Sequence, residues 1–330
     1  MEIPKFEDIS VSTKTFVIMT NIDIDVVYVF NNHPLSKFNF PPKKRGKKGS
    51  VNDEPIYNPF NDMQDGEIVF MEYMGETKGC NPKKKKEKVG GKKKKYFRNA
   101  VTIVMVIDKK LINFKLSGNG KLQMTGCKRD DHAEIVVEKL WEYLLKNGNY
   151  SFKNDKDDRL ESIFIPALRN IDFSVGFKIS REKLDYFINS KTEYFSLLEP
   201  CVGYTGVNIK FPLYIKKGIK DLDMIRFYID KNCNKSEYDN VKYEYYLSML
   251  PVKEQKLKIS KNRYNTFLVF HSGQVIMSGL CEYTQKDAYY KFMEIIYENK
   301  TEIEETIEDF ISDIDDNDID FEMESLLLTN

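Results

Sequence analysis

The chain has almost no alanine, four residues in 330. Lysine, isoleucine and asparagine are abundant instead, a bias of the kind that AT-rich coding DNA produces. Histidine is nearly as scarce, with only His33, His132 and His271. None of them sits in an HExxH pattern. His132 has Cys127 nearby, but a solvated residue at a helix start is the expected reading, not a metal ligand. The five cysteines (Cys80, Cys127, Cys201, Cys233, Cys281) are odd in number, scattered and without a CxxC. A disulfide framework and a zinc site are therefore not indicated, and a reducing intracellular compartment is expected. A phosphate-binding G-x-x-x-x-G-K-[ST] loop is missing too, since VGGKKKK lacks both the spacing and the hydroxyl. The strongest apolar run, VTIVMVI (Val101–Ile107), falls far short of a membrane span. MEIPKFEDIS lacks the apolar stretch of a secretory signal. The expectation is a soluble protein that contacts no membrane, holds no metal or cofactor and carries no catalytic residues.

Net charge is also absent, with 51 basic and 51 acidic residues, but the two signs are segregated. Lysine and arginine crowd into Lys43–Lys48, Lys83–Lys88 and Lys92–Lys95. Aspartate and glutamate crowd after residue 301. This pattern predicts basic arms and an acidic C-terminal tail at 301–330, not a folded acidic or basic domain. Carboxylate pairs abound in the tail, yet nothing builds a pocket around them. At 41% hydrophobic and 13% aromatic, the remainder is globular, with length for one or two cored domains.

One pattern occurs twice. SGNGKLQMTG (117–126) and FHSGQVIMSG (270–279) share a glycine at the fourth position, a methionine at the eighth and a glycine at the tenth. The offset is 273 − 120 = 153 residues. Each copy alternates its side chains as a strand does. Leu122 and Met124 oppose Lys121, Gln123 and Thr125; Val275 and Met277 oppose Gln274, Ile276 and Ser278. A glycine-containing turn precedes each copy, and another strand candidate (Leu111–Leu116 or Asn265–Phe270) precedes each turn, so both read as hairpins. A helix follows each. DDHAEIVVEKLWEYLLK has Ile135, Val136, Leu140, Trp141 and Leu144 on its apolar face, with Asp130 or Asp131 as its cap. TQKDAYYKFMEIIYENK has Ala288, Phe292, Ile295 and Ile296, with Thr284 as its cap.

Upstream, Lys14–Pro34 and Arg169–Lys191 each read as a strand followed by a helix. Phe16 matches Phe173 and Ile22 matches Ile179 at an offset of 157. Asn99–Asp108 and Tyr204–Ile215 form a third pair of strand candidates. The division is a first repeat at 1–148 with a basic insertion at 36–97, a polar linker at 149–164, and a second repeat at 165–300 with an insertion at 216–262. An extra strand is predicted within Gly66–Met74. A repeat of this length is a duplicated half-domain and not a solenoid unit.

Two copies of strand, helix, further strands and long helix, with hairpins ending S-G-x-x-x-x-[TS]-G, resemble the TATA-box-binding protein family. The resemblance covers about 240 residues in patches and is sharpest at the two hairpin–helix units. It implies an α+β fold: a pseudo-two-fold duplicated saddle, a curved antiparallel sheet with helices on its convex face, plus insertions. Divergent members occur in large DNA viruses. The family is a standard case of a minor-groove binder that kinks DNA with apolar wedges, a property that comes with the resemblance and is not deduced from these residues. A minor groove offers a degenerate A·T-versus-G·C code, which a strand surface of small and β-branched residues can press against, with lysines supplying phosphate contacts.

By this resemblance Lys121, Gln123 and Thr125 meet DNA in the first repeat, and Gln274, Ile276, Ser278 and Leu268 in the second. Lys210 stands where the family keeps an arginine, and Asn170 at its central asparagine; Thr13 is the nearest counterpart in the first repeat. Of the wedge pairs, Phe270 is in place and Tyr204 aligns with its mate. In the first repeat Ala100 and Ser117 occupy those positions, with Phe97, Phe114 and Leu116 as neighbours that a register slip would bring in. The implied function is a general transcription initiation factor. It would bind AT-rich promoter DNA and recruit RNA polymerase and a factor resembling initiation factor IIB, in the nucleus or, for a viral member, at a cytoplasmic replication site or in the virion. Two alternatives stand beside it: a protein-interaction adaptor whose DNA face has eroded, and a nucleic-acid enzyme domain on a similar saddle, for which no motif is present.

Overall fold

The computed structural model describes residues 3–37, 58–81, 98–198, 206–213 and 218–306. The lysine tracts, Phe97, Cys201, Tyr204 and the tail beyond residue 306 lie outside the described residues. In chain order the first elements are β1 (Val11–Thr20), β2 (Ile22–Ile24), α1 (Val26–Asn32), β3 (Ile68–Tyr73), β4 (Glu76–Gly79), β5 (Ala100–Ile107), β6 (Lys110–Ser117), β7 (Leu122–Cys127), α2 (Asp131–Asn147) and β8 (Tyr150–Phe152). Then come β9 (Leu160–Ser174), α3 (Arg181–Lys191), β10 (Phe195–Leu198), β11 (Gly206–Pro212), β12 (Asp223–Ile229), β13 (Lys235–Lys242), α4 (Tyr243–Ser248) and α5 (Val252–Ser260). The last are β14 (Tyr264–Phe270), β15 (Gln274–Gly279), α6 (Glu282–Glu298) and α7 (Lys300–Ile303).

Contacts divide the chain into two units. The first comprises Thr13–Ala167 and Ile219–Gln255, the second Met1–Ser12, Leu168–Gly218 and Lys256–Asn330. Strand β9 gives its first half to one unit and its second half to the other.

In the second unit the antiparallel order is β10-β11-β14-β15-β9. Alternation decides what each strand buries. Val207, Ile209 and Phe211 of β11, Phe267 and Val269 of β14, and Val275 and Met277 of β15 all point to one face, where α3 and α6 cover them. Helix α6 presents Tyr289, Phe292, Met293 and Ile296 at helical spacing, and Phe292 stacks on Phe267 with centroids 4.2 Å apart. The N-terminal segment adds Phe6 to this core, and Tyr289 Oη donates to Pro4 O at 3.0 Å.

In the first unit the order is β1-β7-β6-β5-β3-β4, all antiparallel, and β9 pairs β12, which pairs β13. Here Phe16, Ile18, Ile103, Met105, Phe114, Leu122 and Met124 meet Val136, Leu140, Trp141 and Leu144 of α2. The strand expected within Gly66–Met74 is β3.

The repeated fourth-position glycines have a shared cause. Gly120 (φ +70°) and Gly273 (φ +78°) both turn into the left-handed region, and a Cβ on either would lie 2.1 Å from a carbonyl oxygen, of Ile22 or Phe177. Only glycine lets each hairpin turn press that closely on the chain that follows its unit's first strand.

Several expectations change. Residues 149–164, read as a polar linker, contain β8 and the start of β9, because Tyr150 and Phe152 pack edge-on against Trp141 and because Leu160 and Phe164 are core residues. Most of the insertion at 216–262, read as part of the second repeat, contributes to the first unit: Phe227 and Ile229 of β12 enter its core, and Trp141 Nε1 donates to Asp230 O at 2.9 Å. Thr284 lies inside α6, not at its cap. The N-cap is Cys281, three residues earlier, and Thr284 Oγ1 accepts from its backbone N–H at 3.3 Å as the N3 partner of a capping box. Asp130 does stand at the N-cap of α2, but its carboxylate takes the Lys14 ammonium at 2.8 Å and bonds no helix N–H.

Candidate nucleic-acid interface

In the second unit one face of the sheet carries no helix, whereas in the first unit α4 lies on the side away from α2, with Tyr245 against Arg226 of β12 and Glu161 of β9. Antiparallel register aligns residues of one face into rungs that cross the strands. In the second unit one rung reads Phe195–Lys210–Thr266–Ser278–Asn170, and the next Leu197–Asn208–Leu268–Ile276–Asp172. Beyond them Phe270 faces Gly206, and Gln274 faces Ser174. These residues alternate with the core residues and, Gly206 apart, are half-buried or exposed. Asn170, Lys210, Leu268, Phe270, Gln274, Ile276 and Ser278 are thus brought to one face, while Tyr204 lies outside the described residues.

Directly across from Phe270 is Gly206, and a Cβ there would lie 2.7 Å from Leu268 Cδ1. Phe270 therefore has no side chain opposite it.

The face is mostly apolar and amide in character. Phe195 is 55% exposed and Leu197 41%. The amide oxygens of Asn170 and Asn208 are shielded from solvent with no hydrogen-bond partner among the described residues. Lys210 contributes one positive charge and Asp172 one negative. Sequence reasoning missed Phe195, Leu197, Asn208 and Thr266. The alternation in TEYFSLL was the available signal for the first two, but four residues of β10 make a short pattern.

The first unit is built differently. Lys121, Gln123 and Thr125 share a face with Val17, Lys115, Thr102 and Asn113. One rung reads Val17–Gln123–Lys115–Thr102–Glu72 and another Thr15–Thr125–Asn113–Val104–Phe70. Thr125 Oγ1 donates to Asn113 O at 3.3 Å. The rung beside the hairpin turn pairs Ala100 with Ser117. Phe114 and Leu116 do not stand in for a wedge, since both are fully buried on the helix side of the sheet.

Part of this face is closed. Phe60 and Met63 pack with Leu111 on Val69, Phe70, Val104 and Val106, a small core on the side away from α2. The cover is pinned by Asn58 Nδ2 donating to Lys109 O at 3.1 Å and by Gly66 N–H donating to Val106 O at 3.0 Å.

His132, expected at a solvated helix start, is fully buried. Its Nδ1 accepts from the Lys128 N–H at 3.4 Å, its Nε2 lies 3.4 Å from Asp108 Oδ2, and burial pushes its pKa down. Burial pushes the Cys127 thiol up to about 12, far from a thiolate at neutral pH. Among the described residues no three His, Cys, Asp or Glu side chains are placed to hold a metal, and no helix is long and apolar enough to cross a membrane.

The comparisons with known proteins bear on this geometry. No family model matches the chain. An uncharacterized protein, 335L of Invertebrate iridescent virus 6, is 28% identical over 309 residues, 90% of this chain and 86% of that protein. A TATA-box-binding protein-like protein of Acanthamoeba polyphaga mimivirus is 36% identical over 139 residues. Over that segment this chain is similar to a viral TATA-box-binding protein-like protein. The match to the mimivirus protein covers 36% of this chain and 38% of that one, and both relatives are viral. Among solved structures, Methanococcus jannaschii TBP is similar at 13% identity with a TM-score of 0.40, over 89% of this chain and 99% of that one.

Proposed function

We propose that the chain is a viral transcription initiation factor that binds duplex DNA in the minor groove through its open sheet faces. The observation that carries this reading is the helix-free face of the second unit, where Lys210, Thr266, Ser278 and Asn170 lie in one rung and Phe270 stands half-buried across from a glycine. Such a face suits a groove whose edges carry few distinguishing groups, and Phe270 suits insertion between base steps. Lys121, Gln123 and Thr125 take the same role on the first unit. The two units are read as copies of one half-domain. The DNA would be AT-rich promoter sequence, and the protein partners RNA polymerase and a factor resembling initiation factor IIB. The role is non-enzymatic and needs no cofactor, and it is exercised in the nucleus, at a cytoplasmic replication site or in the virion. Gel-shift titration with AT-rich and GC-rich duplexes at low salt tests it. Binding to AT-rich duplex with a steep salt dependence is the expected result; no binding to either duplex overturns it.

A second reading rests on the first unit. The Phe60–Met63 cover and the Ala100–Ser117 rung both detract from a DNA face there. They favour a protein-interaction adaptor on the same fold. Phe270→Ala separates the readings: loss of DNA bending with partner binding intact supports the initiation factor, and unchanged DNA behaviour supports the adaptor.

A further inference from the structure

We propose that Asp172 reads the 2-amino group of a guanine, so that the site on the second unit prefers one G·C pair within otherwise A·T-rich sequence. The inference rests on the duplex-binding reading above and adds a specificity determinant to it. An A·T pair shows the minor groove only acceptors, adenine N3 and thymine O2, whereas G·C adds the guanine N2 amino donor. A face that met only A·T pairs would be lined with donors and apolar groups. Asp172 breaks that pattern. It is exposed and lies in the rung Leu197–Asn208–Leu268–Ile276–Asp172, on the same face as Phe270 and Lys210.

An ionised carboxylate only accepts hydrogen bonds. Ser12 Oγ lies 3.1 Å from Asp172 Oδ1, close enough to hold that oxygen and orient the group. The other oxygen accepts no hydrogen bond, and the carboxylate makes no ion pair, among the described residues. Against an A·T edge that oxygen would meet an acceptor, next to a polyanion, with Ile276 and Leu268 beside it displacing water. An acceptor stripped of water and left unpaired is costly. Against guanine the same oxygen receives the amino N–H. The carboxylate therefore penalises A·T at its own step and rewards G·C, the reverse of the preference of the surrounding face.

The test uses the full chain and fluorescence anisotropy. A single G·C pair is walked through an A·T-rich duplex, and each guanine is then replaced by inosine, which removes only the 2-amino group. The expected result is one position where G·C binds about tenfold tighter than I·C, the scale of one base-pair contact. Asp172→Val, suited to an exposed strand position, should abolish that difference and bind the all-A·T duplex more tightly than the wild type does. Circular dichroism and melting of the variant check that it folds, and Asp172→Asn, which keeps an acceptor without the charge, should retain part of the preference. If inosine binds as well as guanine at every position, or the preference survives Asp172→Val, the assignment is overturned while duplex binding stands. If no duplex binds at all, the reading on which it rests falls, and the assignment with it.

Discussion

Phe270 faces Gly206 across the β11–β14 ladder, whereas the rung beside the first unit's hairpin turn pairs Ser117 with Ala100. One unit thus offers an aromatic with a glycine directly across from it, and the other offers two small side chains. Phe270→Ala should leave the fold intact, because the ring is only half-buried on the helix-free face. It should weaken duplex binding by about 1–3 kcal/mol, the value of a base–aromatic contact, and reduce bending measured by energy transfer between end-labelled duplexes. Ser117→Phe should increase the bend. Equal bend angles for wild type and Phe270→Ala would remove the wedge role.

Trp141 ties residues from the middle of the chain into the first unit. Its ring is buried, and its N–H reaches Asp230 O just after β12. Trp141→Ala should cost about 3–5 kcal/mol in urea unfolding. Trp141→Phe keeps most of the buried area but strands the Asp230 carbonyl, a loss of about 1 kcal/mol beyond the change in volume. If both variants unfolded with wild-type midpoints, residues 219–255 would not share that core.

Thiol labelling should sort the cysteines by environment. Cys80, Cys233 and Cys281 are partly exposed, while Cys127 is buried with its pKa pushed up to about 12. Cys233 is also pushed up by burial, so it should react more slowly than an unburied thiol. Mass spectrometry after brief alkylation at about pH 8.5 should find Cys127 unmodified, and denaturant should expose it. Rapid native modification of Cys127 would show that α2 opens readily.

His132 predicts a pH dependence of known sign. Burial lowers its folded-state pKa below the ordinary imidazole value, so the unfolded chain binds the proton more readily. The stability this neutral histidine contributes is fully present above about pH 6.5 and is lost as pH falls through the lower folded value. His33 shifts the same way, again through burial. Urea midpoints between about pH 7.5 and 5 should fall for the wild type and fall less for His132→Gln, which also removes the ring. Parallel slopes for the two proteins would refute a titrating role for His132.

Much of the candidate site was legible because strand alternation is local. Gln274, Ile276 and Ser278 had to face away from Val275 and Met277 once QVIMSG was a strand, and the same holds for Lys121, Gln123 and Thr125. The glycines at 120 and 273 were visible as repeated letters, though not the carbonyls they press against. What alternation left open was which distant strand lies alongside. Phe114 and Leu116 looked available as wedges until β6 was set between β5 and β7 with both residues toward α2. Phe195 and Leu197 joined the face only through β10 pairing with β11.

By itself the sequence determined the two hairpins, the helices that follow them and the faces their strands present, because these depend on backbone periods of 2 and 3.6 and on glycine's access to positive φ. Tertiary structure decided the rest. It placed β12 and β13 in the first unit, laid Phe60 and Met63 over Val104 and Val106, and buried His132. In each case apolar surface from residues far apart in the chain had to leave water together, and that demand selects partners by shape and burial, which no local pattern records.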